Sequence, residues 1–283
     1  VFHRKTNRKS KFNLRRKERT KMKNLITICA VVAMILVVSG AVQAAIFTYD
    51  VSPADLADRD DFDNGRGGEK FGYDPDSVKP IGIGGLTGAP GYENGCFWAD
   101  VQGSAAGGGV DYTAIRLSPR DIFGVSGDIT ISELSEISYY TKWVSDLDWQ
   151  MKIYTEGEKT GDWYGYRFNF IRPDFGDNVW NLSSTDSNLL VSDIATKTTG
   201  GSTTVPGTGK LSDLDTNFGN KKILFIDIIS SYMTDSLPGD SYLDGIRIEL
   251  DGGDIATMNL IPEPATIALL GLGGLLLRRR KRA

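Results

Sequence analysis

The sequence predicts an all-β protein, a single antiparallel β-sandwich of jelly-roll type flanked by an N-terminal signal helix and a short C-terminal hydrophobic helix. Three observations predict it. Between residues 45 and 258 short β-rich runs recur with turn residues between them, the chain holds 33 glycines, and no convincing amphipathic helix interrupts the pattern. At 40% hydrophobic and 24% charged, 283 residues can bury one substantial core.

In chain order the expected strands are "IFTYD" (46–50), "CFWADV" (96–101), "YTAIRL" (112–117), "DITI" (128–131), "EISYYTKW" (136–143), "DWQMKIY" (148–154), "WYGYRFNFI" (163–171), "KILFIDII" (222–229) and "YLDGIRIEL" (242–250). Glycine-rich separators stand between them, including "GSAAGGG" and "TKTTGGSTTVPGTG". No internal repeat suggests a propeller or solenoid.

Alternation along a strand sorts side chains between core and surface. In "WYGYRFNF" it sends Tyr164, Tyr166, Phe168 and Phe170 inward and leaves Trp163, Arg167 and Asn169 outside. In the same way Tyr140 and Lys142 point out of one strand, and Gln150, Lys152 and Tyr154 out of another. With these strands side by side, Trp163, Arg167, Asn169, Tyr140 and Gln150 make an aromatic and amide-rich surface that suits stacking on sugar rings and bonding their hydroxyls. A solvated face covered by a loop is the alternative.

Charge is sorted by region. Residues 1–24 hold eleven of the 32 Lys and Arg, the last six residues hold five, and the segment between carries 16 basic against 35 acidic residues. So acidic a body repels nucleic acid and anionic lipid, and suits cations or neutral ligands.

The front end reads as an export signal. From Met22, "MKNLITICAVVAMILVVSGAVQAA" has a basic start, an apolar run from Leu25 to Val38 and the small-residue site Val42-Gln43-Ala44, which places cleavage after Ala44. Translation starting at Met22 accounts for the basic leader 1–21. The back end, "IPEPATIALLGLGGLLLRRRKRA" (261–283), joins Pro262-Glu263-Pro264 to an apolar run from Thr266 to Leu277 and a basic terminus containing Arg278, Arg279 and Arg280. That run is short of the ~20 residues a spanning helix needs. The prolines hold the chain extended before it, and the arginines stay on the cytoplasmic side.

A signal peptide (22–44) combined with this three-part tail (259–283) resembles the PEP-CTERM sorting proteins of Gram-negative bacteria. The resemblance implies an exosortase-type membrane transpeptidase as partner, which processes the protein near Pro262-Glu263-Pro264. It also implies transient insertion in the inner membrane and delivery to the cell surface, outer envelope or extracellular matrix. It concerns address and not activity.

The chemistry available to 45–258 is restricted. The one histidine is His3, so histidine triads and histidine zinc sites are excluded from that region. Its one cysteine, Cys96, opens a strand, where a buried structural thiol is expected. A glycosidase needs only two facing carboxylates, but Glu133/Glu136 and Glu156/Glu158 do not reproduce a catalytic strand motif, and the expectation is a domain that is not an enzyme. The acidic stretch "DLADRDDFDNGRGGE" (55–69) fails the EF-hand spacing. "DDFDNG" together with "SYLDGIRIEL" is instead similar to the first and last strands of galactose-binding-like, carbohydrate-binding jelly rolls. That resemblance implies a structural calcium held by Asp63 and Asp244, no other cofactor being called for. Turn-forming roles beside Asn64-Gly65 and Gly245 are the alternative. The expected function is polysaccharide binding at or beyond the cell surface, with a structural matrix role second and a polysaccharide-active enzyme third.

Overall fold

The computed structural model describes residues 44–262, apart from 58–67, 75–76, 78, 85–87, 93–94, 102–111, 144–148, 158–162, 173–178, 199–200, 208 and 232–238. The expected signal segment before Ala44, Asp63, Glu263, Pro264 and the basic tail with Arg278, Arg279 and Arg280 lie outside the described residues.

Among the described residues fourteen strands build two seven-stranded sheets. The first sheet contains β1 (Ile46–Val51), β3 (Ile81–Ile83), β4 (Cys96–Val101), β6 (Leu134–Trp143), β9 (Asn181–Ser184), β13 (Gly239–Leu250) and β14 (Ile255–Leu260). The second contains β2 (Phe71–Tyr73), β5 (Tyr112–Leu117), β7 (Trp149–Thr155), β8 (Tyr166–Ile171), β10 (Leu190–Thr198), β11 (Gly201–Pro206) and β12 (Ile223–Ser231), in the order β11-β10-β8-β7-β12-β5-β2. The chain passes repeatedly from one sheet to the other, as in jelly-roll connectivity. Every described pairing between strands is antiparallel except β1 with β14, which run parallel from Ile46 beside Ile255 to Val51 beside Leu260.

One core lies between the sheets. Phe97, Ile137, Tyr139, Leu243, Ile246, Ile248 and Met258 come to it from the first, and Ile115, Trp149, Met151, Ile153, Phe168, Phe170, Ile226 and Ile228 from the second. Alternation places them on most of these strands, whereas β12 is buried on both faces from Ile223 to Ser230. Tyr139 ties the layers by donating its hydroxyl to the Trp149 carbonyl at 3.0 Å.

β13 changes partner along one edge. Gly239–Leu243 pair with β4 and Ile246–Glu249 with β14, so the strand must bend at Asp244-Gly245. Gly245 sits at φ 60° beneath the Tyr92 ring, a combination that excludes a side chain. The buried Asp244 carboxylate holds the junction by accepting the N–H groups of Gly245 at 2.7 Å, Ala89 at 2.9 Å and Leu260 at 3.1 Å.

Two local expectations are corrected. "DITI" is not a strand: Ile131–Glu133 is a 3₁₀ turn, because Glu133 accepts both the backbone N–H and the hydroxyl of Thr130 at 2.7 Å in a Thr-x-x-Glu capping box. "TKTTGGSTTVPGTG" is not merely a separator: Thr196 and Thr198 fall in β10 and Thr203 and Thr204 in β11, which pair antiparallel from Asp193–Pro206 to Thr198–Gly201. Threonine is β-branched and favours strands, so the Gly-Gly marks a hairpin rather than an unstructured link.

Candidate functional site

The outward face of the second sheet carries charged and amide side chains at successive strands. Asp193 on β10 stands opposite Asn169 on β8, Asn169 opposite Lys152 on β7, Lys152 opposite Asp227 on β12, and Asp227 opposite Arg116 on β5. Residues opposite one another share a face, so these five form one row across five strands. A second row beside it runs Ala195, Arg167, Tyr154, Phe225.

Arg116 anchors one end of the row. Its Nε donates to Asp227 Oδ1 at 3.0 Å and its Nη2 to Asp74 Oδ2 at 3.1 Å, while the Tyr112 hydroxyl also donates to Asp74 at 2.8 Å. The guanidinium lies 4.5 Å from the Phe225 ring centre. At the other end Arg167 pairs with Asp193 at 3.3 Å, and the Asn169 amide donates to Asp193 at 2.9 Å and to Ser192 Oγ at 3.1 Å.

Burial tunes the middle of the row. Asp227 is 2% exposed, and desolvation raises its carboxyl to about 6 against the opposing pull of Arg116. Burial lowers the Lys152 ammonium, and nearby Arg167 lowers it further. Among the described residues Lys152 makes no ion pair, and the buried Arg167 Nε and Asn169 Oδ1 have no hydrogen-bond partner. Unsatisfied buried polar atoms are costly, and two of them lie beneath this face. An acid raised toward neutrality beside a lysine lowered toward it is also suited to proton exchange.

Aromatic rings border the row. Tyr154 stacks on Phe225 at 4.6 Å between ring centres, Trp163 lies 5.4 Å from Tyr154 and 4.5 Å from Tyr164, and Lys197 sits 5.5 Å above Trp163. Trp163 remains 41% exposed. Its support by fixed rings presents a flat apolar surface at the margin of a polar face.

Four of the five residues expected on the ligand surface therefore meet: Trp163, Arg167, Asn169 and Gln150 all belong to this face, the last on β7 beside Lys152. Tyr140 does not. It lies on β6 in the first sheet, with its ring 6.0 Å from Tyr92, because β6 and β7 belong to different sheets and do not pair as a hairpin. Tyr164 was expected in the main core; it precedes β8 and packs instead with Tyr154, Leu224 and Phe225. The outer face of the first sheet is self-satisfied near Tyr140, where Arg247 bonds Glu136 at 2.8 Å and also Glu249.

Lys152, Asp227, Arg116 and Asp193 were not singled out as site residues. The signal was present as isolated charges inside apolar strands, Asp227 in "ILFIDIIS" above all. Asp244, expected to ligate calcium with Asp63, uses both carboxylate oxygens on backbone N–H groups. Among the described residues no group of three or more His, Cys, Asp or Glu is arranged to hold a metal, and none of their helices is long and apolar enough to cross a membrane. Cys96 is buried, as expected, and desolvation pushes its thiol up to about 12.

Comparison with known proteins adds three findings. No curated protein sequence matches the chain. Among solved structures it is similar to an alginate lyase of Pseudomonas aeruginosa at 12% identity, TM-score 0.29, over 62% of this chain and 88% of that one. It is likewise similar to the family 7 alginate lyase A1-II′ in complex with product, at 12% identity, TM-score 0.27, over 59% and 83%. The expectation that the domain is not an enzyme is corrected here, since the solved structures it resembles are themselves enzymes. A likeness this slight transfers no activity to the chain. The tail is decided more sharply: residues 260–282 carry the PEP-CTERM protein-sorting motif, which implies an exported protein processed by an exosortase.

Proposed function

We propose that this chain is an exported surface or extracellular-matrix protein whose sandwich engages polysaccharide across the outward face of its second sheet. The observation that carries the reading is the in-register row Asp193, Asn169, Lys152, Asp227, Arg116, bordered by the half-exposed Trp163 and by Tyr154. Sugars present hydroxyls in the plane of the ring and apolar C–H faces above it, and this surface offers a partner to each.

The test is a panel of immobilised polysaccharides challenged with the purified protein, once in calcium and once in chelator, with the size of each soluble polymer followed over time. Retention that Trp163→Ala abolishes supports the reading. Retention confined to the calcium arm adds a bound calcium, and shortening of a polymer that Trp163→Ala also abolishes makes the same face an active site. The absence of both retention and shortening across the panel overturns it and leaves a structural matrix role.

A further inference from the structure

Pro262 opens the Pro-Glu-Pro of the sorting motif, yet it belongs to the folded domain. β14 delivers the chain to it through Leu260, which is 1% exposed and paired with Val51 of β1. The next N–H, of Ile261, donates to the Val51 carbonyl at 2.8 Å, and Pro262 itself is buried.

Its seat is made by three missing side chains. A methyl group on Gly82 of β3 would stand 2.7 Å from Pro262 Cα, one on Gly84 3.2 Å from Cγ, and one on Gly95, just before β4, 2.6 Å from Cδ. Ordinary side chains at these positions would expel the proline ring, so the seat depends on the glycines.

A transpeptidase must hold the chain on both sides of the bond it cuts, and peptide groups already paired in a sheet are not available to it. Resting on the exosortase reading of the motif, we infer that the domain retains the chain through Pro262, so that processing cuts on the C-terminal side of that residue. The exosortase, which the resemblance implies to be a cysteine transpeptidase, attacks a peptide carbonyl beyond the seat with its thiolate, and the C–N bond breaks. The tail leaves as a protonated amine, and water or an acceptor amine then takes the acyl group from the thioester and restores the thiol. The fold thus acts as the stop that sets the mature C-terminus.

The experiment expresses the full chain with an exosortase in a bacterium that processes PEP-CTERM proteins, and reads the mature C-terminus by intact mass and C-terminal peptide mapping. The expected end is Pro262 or a residue after it. An end at Ile261 or earlier overturns the inference. A chain that keeps its whole tail, recognised by its mass, overturns it through the exosortase reading on which it rests. Gly82→Ala unseats the proline without altering the motif: amide exchange at Ile261 should quicken roughly tenfold, the loss of about one hydrogen bond's protection, and ends upstream of Pro262 should appear. Unchanged exchange and an unchanged end in this variant overturn the proposed cause. Should Gly82→Ala not fold, Gly84→Ala, whose methyl among the described residues meets only the proline ring, gives the same readout.

Discussion

Arg116 and Asp227 bond across β5 and β12 at 3.0 Å with side chains 12% and 3% exposed, so the outward face of the second sheet contains an ion pair almost withdrawn from water. Removing the cation strands a buried carboxylate beside Asp74. Arg116→Ala is expected to cost about 3–5 kcal/mol, whereas Arg116→Met with Asp227→Leu should cost much less, as measured by urea denaturation.

The same carboxylate sets a pH dependence. Its ordinary value is 3.8 and burial raises it to about 6 in the folded protein, so between those values the native state binds the extra proton. Asp227 therefore contributes stability below about 4 that is lost as pH rises through about 6. Unfolding midpoints measured from pH 3.5 to 7 should show this decline in the wild type, and Asp227→Asn should remove that component of the slope.

Lys152 and Trp163 separate recognition from folding. Trp163 is 41% exposed and Lys152 has no ion pair among the described residues. Trp163→Ala and Lys152→Met should each change stability by no more than about 1 kcal/mol, while polysaccharide retention falls at least several-fold. Loss of retention accompanied by a collapse in melting temperature would instead make these residues structural.

Asp244 should behave in the opposite way, as a residue of the fold. Its carboxylate accepts three backbone N–H groups where β13 passes from β4 to β14. Asp244→Ala leaves those donors buried without an acceptor and is expected to cost about 3 kcal/mol or more. Hydrogen exchange should localise the damage to Ala89, Gly245 and Leu260.

Cys96 gives a simple test of the core. The thiol is 0% exposed and its ionisation is pushed up to about 12. A disulfide reagent at pH 8 should leave it untouched in the native protein and titrate it fully in denaturant. Rapid native reaction would show that the β3–β4 edge opens.

How much of this was legible beforehand differs by element. Strands such as Tyr112–Leu117 and Ile223–Ser231 announced themselves as short β-branched and apolar runs bounded by turns, the pattern of strands buried on both faces. The strands Phe71–Tyr73, Ile81–Ile83 and Asn181–Ser184 did not, being too short for alternation to register. Trp163, Arg167, Asn169 and Gln150 were placed on one surface by alternation alone. Tyr140 was misplaced with them because alternation tells which face a residue takes and not which sheet its strand joins.

The sequence by itself determined the strand-rich class, the inward and outward sides of most strands, the buried thiol and the sorting tail, since each follows from local periodicity or a contiguous motif. Only the tertiary structure decided that Lys152, Asp227 and Arg116 stand in one row, that Asp244 serves backbone N–H groups, and that Pro262 is seated among Gly82, Gly84 and Gly95. Those relationships join residues far apart in the chain, and register between distant strands is settled only when the two sheets close on a shared core.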